Sequence, residues 1–164
     1  VEDYVYSYND YIDVVSAPID PRNAGGISSK AISVMISRLK FKYDVILIDT
    51  SHVLNRINLG IFDMSDSVLY IMTNDLMDIK NMKTMVSIFK DMGFNKYKIV
   101  LNEARGINTS YTKEMIEDVV MNSIECVIPK SFYIKQIEKY VYNGKIITLD
   151  KAFSKAILIF KNIL

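Results

Sequence analysis

The sequence predicts an α/β fold, a doubly wound and mostly parallel sheet with helices on both faces, and two observations carry that reading. Short apolar runs rich in β-branched residues recur along the chain without polar alternation, the pattern of strands buried on both faces. Between them lie amphipathic stretches with three- and four-residue spacing, which supply the crossover helices that parallel strands require.

Taken in order, the first candidate strand is Ile12 to Ala17, ended by Pro18. A helix is expected over Ile27 to Leu39, with Ile27, Ala31, Val34, Met35 and Leu39 near one face. Val45-Ile46-Leu47-Ile48 is the clearest buried strand. Val68 to Met72 and Ile99-Val100-Leu101 repeat its character, and Cys126-Val127-Ile128, stopped by Pro129, is the last. Residues 45–49, 68–72, 98–102 and 125–128 are therefore expected as neighbouring, mostly parallel strands.

Met82, Met85, Val86 and Phe89 mark a helix that Gly93 caps. Thr112 to Met121 carries Met115, Ile116, Val119 and Val120. Phe132 to Tyr142, stopped at Asn143-Gly144, and Ala152 to Leu164 close the series. No repeat, low-complexity tract or Pro/Gly/Ser-rich linker interrupts it, so residues 1–164 read as a single domain. Only Val1 to Tyr11, rich in Tyr, Asp and Asn, reads as loosely attached.

Composition bounds the function. The chain has 164 residues, half of them apolar, enough for one sizeable core. Twenty Lys and Arg oppose 19 Asp and Glu, which gives no global field to draw nucleic acid or anionic lipid. Cys126 and His52 are the only cysteine and histidine, so an internal disulfide, a zinc knuckle and a multi-histidine metal site are excluded. The lone cysteine fits a cytoplasmic setting. No apolar run approaches the roughly 20 residues of a membrane helix. The chain begins at Val1, from which further sequence upstream is expected.

In open parallel sheets, ligands bind beyond the carboxyl ends of the strands, so the polar residues just past each run carry the chemistry. These are Asp49-Thr50-Ser51-His52, Thr73-Asn74-Asp75, Asn102-Glu103-Ala104-Arg105 and Pro129-Lys130-Ser131. A carboxylate such as Asp49, directly behind four aliphatic residues, suits Mg²⁺, directly or through water. Its plainer reading, a helix cap, stands level with that one. The amide of Asn102 can donate and accept at once, which matches the edge of adenine, but an Asx-turn is the more ordinary use.

Ala24 to Lys30 has glycines but lacks the Gly-Lys-Ser/Thr ending of a phosphate loop, so Ser28 or a neighbour reads as a helix cap. His52, with Asp49 or Asp63 as partner, lacks a nucleophile in a recognisable elbow and reads as a solvated side chain. The Met82/Met85/Phe89 stripe reads as core packing. Lys151, Lys155 and Lys161 opposite Phe153, Ile157 and Phe160 admit peripheral membrane contact, but packing on the sheet explains them better.

The order of these pieces resembles a family. Tyr43-Asp44-Val45-Ile46-Leu47-Ile48-Asp49-Thr50 resembles the Walker B strand of the ParA/MinD-type P-loop ATPases. Ser65 to Thr73 is similar to their "ADxVLxVxT" strand, and Ile99 to Asn102 to the strand whose terminal Asn reads adenine. Ile128-Pro129, followed by a helix and Asn143-Gly144-Lys145, resembles their closing segment. Together these cover roughly residues 12 to 164. Thr73-Asn74-Asp75-Leu76 with Asn81 is most similar to the CpaE/TadZ branch, linked to Flp-type pilus assembly and polar localisation.

The resemblance implies a cytoplasmic ATP-binding domain whose first strand, phosphate loop and switch I aspartate lie upstream of this chain. It implies that Asp49 holds the Mg²⁺ shell, that Thr50, Ser51 and His52 sense the γ-phosphate, that Asn102 reads adenine, and that Pro129 and Lys130 close over the base. It also implies an ATP-dependent homodimer with protein partners in a pilus, secretion or polarity system. Ser51-His52 replaces the usual Pro-Pro, Glu103 stands where Arg or Lys is common, and Ser131 where Asp is common. Two rivals remain: a degenerate, non-hydrolysing scaffold of the same fold, and a tyrosine autokinase-like domain. The chain ends Phe160-Lys161-Asn162-Ile163-Leu164 without the tyrosine cluster such a kinase carries.

Overall fold

A computed structural model of the chain describes residues 4–18, 20, 22, 26–103, 111–130 and 142. The chain divides into two compact units, Val1–Asp66 and Ser67–Leu164.

In the first unit, β1 (Tyr6–Ser7) pairs antiparallel with β2 (Asp13–Val14), Tyr6 opposite Val14 and Ser7 opposite Asp13. Asn9 makes the turn: its Oδ1 accepts from the Tyr11 and Ile12 amides at 2.9 and 2.8 Å. Ile12 to Ala17 is therefore not a buried parallel strand. Its ladder is two residues of a hairpin, and Ile12 and Val14 stand exposed. Asp13 also accepts from the Tyr43 hydroxyl at 2.5 Å. The Ser7 hydroxyl first, and that of Tyr43 second, hold the Asp13 carboxyl below its ordinary value.

Helix α1 (Ser29–Leu39) starts where Ser28 Oγ accepts from the Ala31 amide at 3.1 Å, the cap expected there. Its inner face differs from the expected one: Ile36 is buried, whereas Val34 is 45 % exposed. Helix α2 (Arg56–Met64), absent from the periodicity reading, packs against α1 and buries Ile61 and Asn58. A buried Asn and a mid-helix Gly60 break the apolar stripe that would have announced it.

Residues 45–50 form no strand. Val45 and Leu47 are 69 and 84 % exposed, against the expectation of a buried strand at 45–49. The cause is backbone hydrogen bonding: an extended segment becomes a strand only by pairing, and no described strand pairs with this one.

The second unit holds the parallel sheet. β3 (Val68–Thr73), β4 (Tyr97–Asn102) and β5 (Cys126–Ile128) lie side by side in that order, with every pairing parallel. Helix α3 (Leu76–Asp91) joins β3 to β4, and α4 (Lys113–Val120) lies between β4 and β5 in sequence and packs on α3. Ile79, Met82, Met85, Val86 and Phe89 form the inner face of α3, as the three- and four-residue spacing predicts.

Gly93 follows α3 at φ +65°, and the bonds Gly93 N to Lys90 O and Phe94 N to Phe89 O complete the left-handed cap. On α4, Ile116 and Val120 are buried while Met115 and Val119 are exposed, so half of the expected face is inside.

Phe89, fully buried, is the centre of this unit. Its ring packs against Tyr97 at 4.6 Å, Phe94 at 5.3 Å and Tyr70 at 6.5 Å between centroids. On the opposite sheet face Val100 and Cys126 are buried, with Leu69 and Ile128 packed on them. Burial pushes the Cys126 thiol up, which keeps it protonated and unreactive. The helix expected over 152–164, and all of the one expected over 132–142 but Tyr142, lie outside the described residues. Among the described residues no helix is long and apolar enough to cross a membrane.

Truncating Phe89 empties the place where three aromatic rings converge. Phe89→Ala is expected to cost about 3–5 kcal/mol, read as a lower urea midpoint. A loss below about 1 kcal/mol would show that this cluster does not hold the unit together.

Candidate functional site

The ladders align the carboxyl ends of the three parallel strands. Thr73 pairs with Asn102, and Asn102 with Ile128, so these residues stand in one row across the sheet. The Glu103 amide carries the ladder one step further by donating to the Ile128 carbonyl at 2.8 Å. Asn102 and Glu103 are half-buried, as is Pro129, whereas Lys130 is exposed. Of the residues singled out by position in the sequence, Asn102, Pro129 and Lys130 are thus brought together at one edge.

Beside them the chain leaves β3 through Thr73-Asn74-Asp75 into α3. Asp75 caps the helix, its Oδ1 accepting from the Met77 amide at 2.8 Å. Asp78, in the first turn, reaches back to Thr73: its Oδ2 accepts from the Thr73 amide at 3.1 Å and from the Thr73 hydroxyl at 2.5 Å. The Thr73 hydroxyl in turn faces the Asp75 amide at 3.4 Å. This fixes the strand-to-helix turn. Asp78 was not among the sequence candidates, although Asp75-x-x-Asp78 is a capping pattern legible in retrospect.

Asn74 is 2 % exposed, and its Oδ1 has no hydrogen-bond partner among the described residues. A buried acceptor left unpaired costs about 1–3 kcal/mol, and such orphans concentrate where function tolerates them.

The remaining candidates lie in the first unit. Asp49 is exposed at the end of the unpaired run 45–49. Thr50 is half-buried, and Ser51 and His52 are exposed. The loop after Asp49 is nevertheless held. Asn58 Nδ2 donates to the Ser51 carbonyl at 3.0 Å, to Ser51 Oγ at 3.3 Å and to the Val53 carbonyl at 2.7 Å. Asn58 is 5 % exposed and its own amide donates to Asn55 Oδ1 at 2.9 Å, at the helix cap. Nothing in the sequence marked Asn58, because an asparagine inside a helix carries no spacing signal.

Among the described residues no group of three or more His, Cys, Asp or Glu side chains is arranged to hold a metal ion. Ser131, Ala104 and Arg105 lie outside the described residues.

The two polar residues just past β3 make opposite predictions. Asp78→Ala is expected to destabilise the protein by about 1–3 kcal/mol, because it strips the acceptor from two donors of Thr73. Asn74→Leu, of similar shape and without the orphan acceptor, is expected to be neutral or stabilising. Urea unfolding of both variants reads the signs, and a large loss for Asn74→Leu would show that its amide is satisfied.

No family model matches the chain, and no curated protein matches it. Solved structures do. A ParA family ATPase from Chlorobium tepidum TLS superposes with a TM-score of 0.71 at 20 % identity, covering 78 % of this chain and 54 % of that one. MinD, the cell division ATPase of Pyrococcus furiosus, gives 0.76 at 21 % identity, over 100 % of this chain and 71 % of its own. The MinC:MinD cell division complex of Aquifex aeolicus gives 0.60 at 18 % identity, over 76 and 53 %. The chain thus spans about half the length of the Chlorobium and Aquifex relatives, 54 and 53 %. It has the α/β fold of the ParA and MinD ATPases, with a parallel sheet and its crossover helices.

Proposed function

We propose that this chain is the C-terminal part of an ATP-binding domain of the ParA/MinD type, acting in the cytoplasm as an ATP-dependent homodimer. The observation that carries it is the row Thr73, Asn102, Ile128 at the carboxyl edge of a parallel sheet, the edge where such sheets take their ligands. The likeness to ParA and MinD structures gives the same sheet a nucleotide-binding precedent.

The residues present suit part of ATP. Two carboxamides, Asn74 and Asn102, stand at or just beyond the row, and the first offers an unsatisfied acceptor. That is the chemistry an exocyclic amine satisfies. Pro129 and Lys130 come directly after β5 at the same edge. Asp49 supplies a carboxylate for Mg²⁺, through water, and Thr50 and Ser51 supply hydroxyls for phosphate oxygens.

A glycine-rich cradle for the triphosphate is not among the described residues, since Ser28 is engaged as the α1 cap. On this reading the cradle belongs to sequence upstream, and the exposed apolar run Val45–Ile48 is the strand that pairs with it. Thr73 to Leu76 with Asn81 supports placing the protein in the CpaE/TadZ branch, with pilus-assembly or polarity proteins as its partners. The MinC:MinD complex is a precedent for partner binding on this fold.

Asp49→Ala in the intact protein is expected to lower ATP hydrolysis by ~10²-fold or more, the effect of losing one preorganised charge at a transition state. Asn102→Ala is expected to weaken ATP binding by about 1–3 kcal/mol with a smaller effect on turnover. Phosphate release beside fluorescent-nucleotide titration separates the two. If neither variant changes either readout while partner binding persists, the non-hydrolysing scaffold is the correct reading.

Residues 1–164 alone are expected to bind ATP no tighter than about millimolar, because backbone amides of a phosphate loop supply most of the affinity for the triphosphate. Calorimetry showing micromolar binding to this chain would remove the need for an upstream cradle.

A further inference from the structure

Loops between a strand end and a helix are ordinarily the loosest part of an α/β unit. The segment Thr50–Val53 departs from that rule, because one side chain spans it from below. Asn58 stands in the first turn of α2, its backbone amide held by Asn55 and its side chain 5 % exposed. Its Nδ2 meets three acceptors, the carbonyls of Ser51 and Val53 and the hydroxyl oxygen of Ser51.

The last of these contacts decides which way the serine is used. A hydroxyl carries one proton and two acceptor sites. Asn58 Nδ2 has two protons for its three acceptors, so the 3.3 Å contact with Ser51 Oγ is the longer arm of a shared hydrogen bond, and an amide N–H has nothing to accept the serine proton with. The Ser51 proton is therefore turned away from Asn58, and Ser51 itself is exposed. A hydroxyl held in this way is a donor awaiting an anionic oxygen.

We infer that Asn58 is a positioning residue: its carboxamide fixes the Thr50–Val53 loop and orients the Ser51 hydroxyl to donate to a phosphoryl oxygen of the bound nucleotide. This rests on the ATP-binding reading above. The loop is ordered before the ligand arrives, so its ordering entropy is not charged to the phosphoryl-transfer step. Asn58 touches no ligand and acts only through Ser51 and the two carbonyls.

The test uses the intact protein, with Asn58→Asp (same shape, no N–H donors) and Asn58→Leu (no donors and no buried charge). Amide hydrogen exchange without nucleotide reads the clamp directly. Exchange at Asn55, whose amide donates to the Val53 carbonyl that Asn58 also holds, is expected to quicken about tenfold or more in Asn58→Leu, with residues 68–102 unchanged. Unchanged exchange at Asn55 in both variants overturns the inference.

Steady-state ATP hydrolysis reads the serine. Asn58→Leu and Ser51→Ala are each expected to lower kcat about tenfold with KM moved less than about twofold, and the double variant to be no worse than either single one. Additive losses, or a rise in KM at constant kcat, overturn the role of the hydroxyl. A wild-type protein that hydrolyses no ATP sinks the ATPase reading instead, and ATP binding then decides: a Ser51-dependent weakening in Asn58→Leu supports the inference, and equal affinity ends it.

Discussion

The structure depends on β4 being hydrogen-bonded on both sides in parallel register. An antiparallel neighbour can be reached by a short turn, but a parallel one requires the chain to return to the starting end of the sheet. Val68 opposite Tyr97 and Val100 opposite Cys126 therefore fix where α3 and α4 run. The same constraint collects the polar residues. Each strand enters the sheet at the same end, so each leaves at the same end. The residues just past Thr73, Asn102 and Ile128 are gathered there without any of them attracting the others. The site is a consequence of backbone pairing before it is a matter of side-chain chemistry.

Packing then decides how rigid that edge is. Phe89 presses Tyr70 and Tyr97 from above, one on each of two neighbouring strands, and so ties α3 to the ladder near its entry. Burial of Tyr70 and Tyr97 raises both phenols above their ordinary value. At the exit end the fastening is polar. Asp78 draws the Thr73 amide and hydroxyl onto the first turn of α3, while Asp75 caps that helix. Between the apolar anchor at one end and the carboxylate at the other, Asn74 keeps a buried acceptor with no partner among the described residues.

How much of this the amino-acid order revealed depends on the length scale of the signal. Three of the four runs expected as neighbouring parallel strands are strands, and they are parallel neighbours, because runs such as Ile99-Val100-Leu101 advertise burial on both faces without reference to anything distant. The inner face of α3 was legible for the same reason. The fourth run, Val45–Ile48, has equally apolar residues, yet strandhood is a property of a pair and the described residues offer it no partner. Helix α2 was hidden by Asn58 and Gly60, and the face of α1 by several apolar positions competing for one stripe. Among the site residues, Asn102 and Pro129 were legible from their place after a strand. Asn74 was marked by the same placement, though not its burial; Asp78 and Asn58 were not, since what distinguishes them is burial and the direction of a hydrogen bond.

These two kinds of order meet around Asp49. The loop just beyond it is pinned locally, by a helix that caps itself at Asn55 and presents Asn58 beneath Ser51 and Val53. Such a device needs only the few residues of chain around it and holds wherever α2 forms. Asp49 itself sits on the other side of the divide, at the end of a run whose leucine is 84 % exposed. A carboxylate can anchor a metal shell only if its backbone is fixed to within about 0.5 Å, and extended chain acquires that rigidity from a ladder on its flanks. Strand pairing of Val45–Ile48 would remove the apolar side chains from water and immobilise the aspartate in the same step. Ser51 is held by a side chain already in place, whereas no described strand fixes the backbone of Asp49.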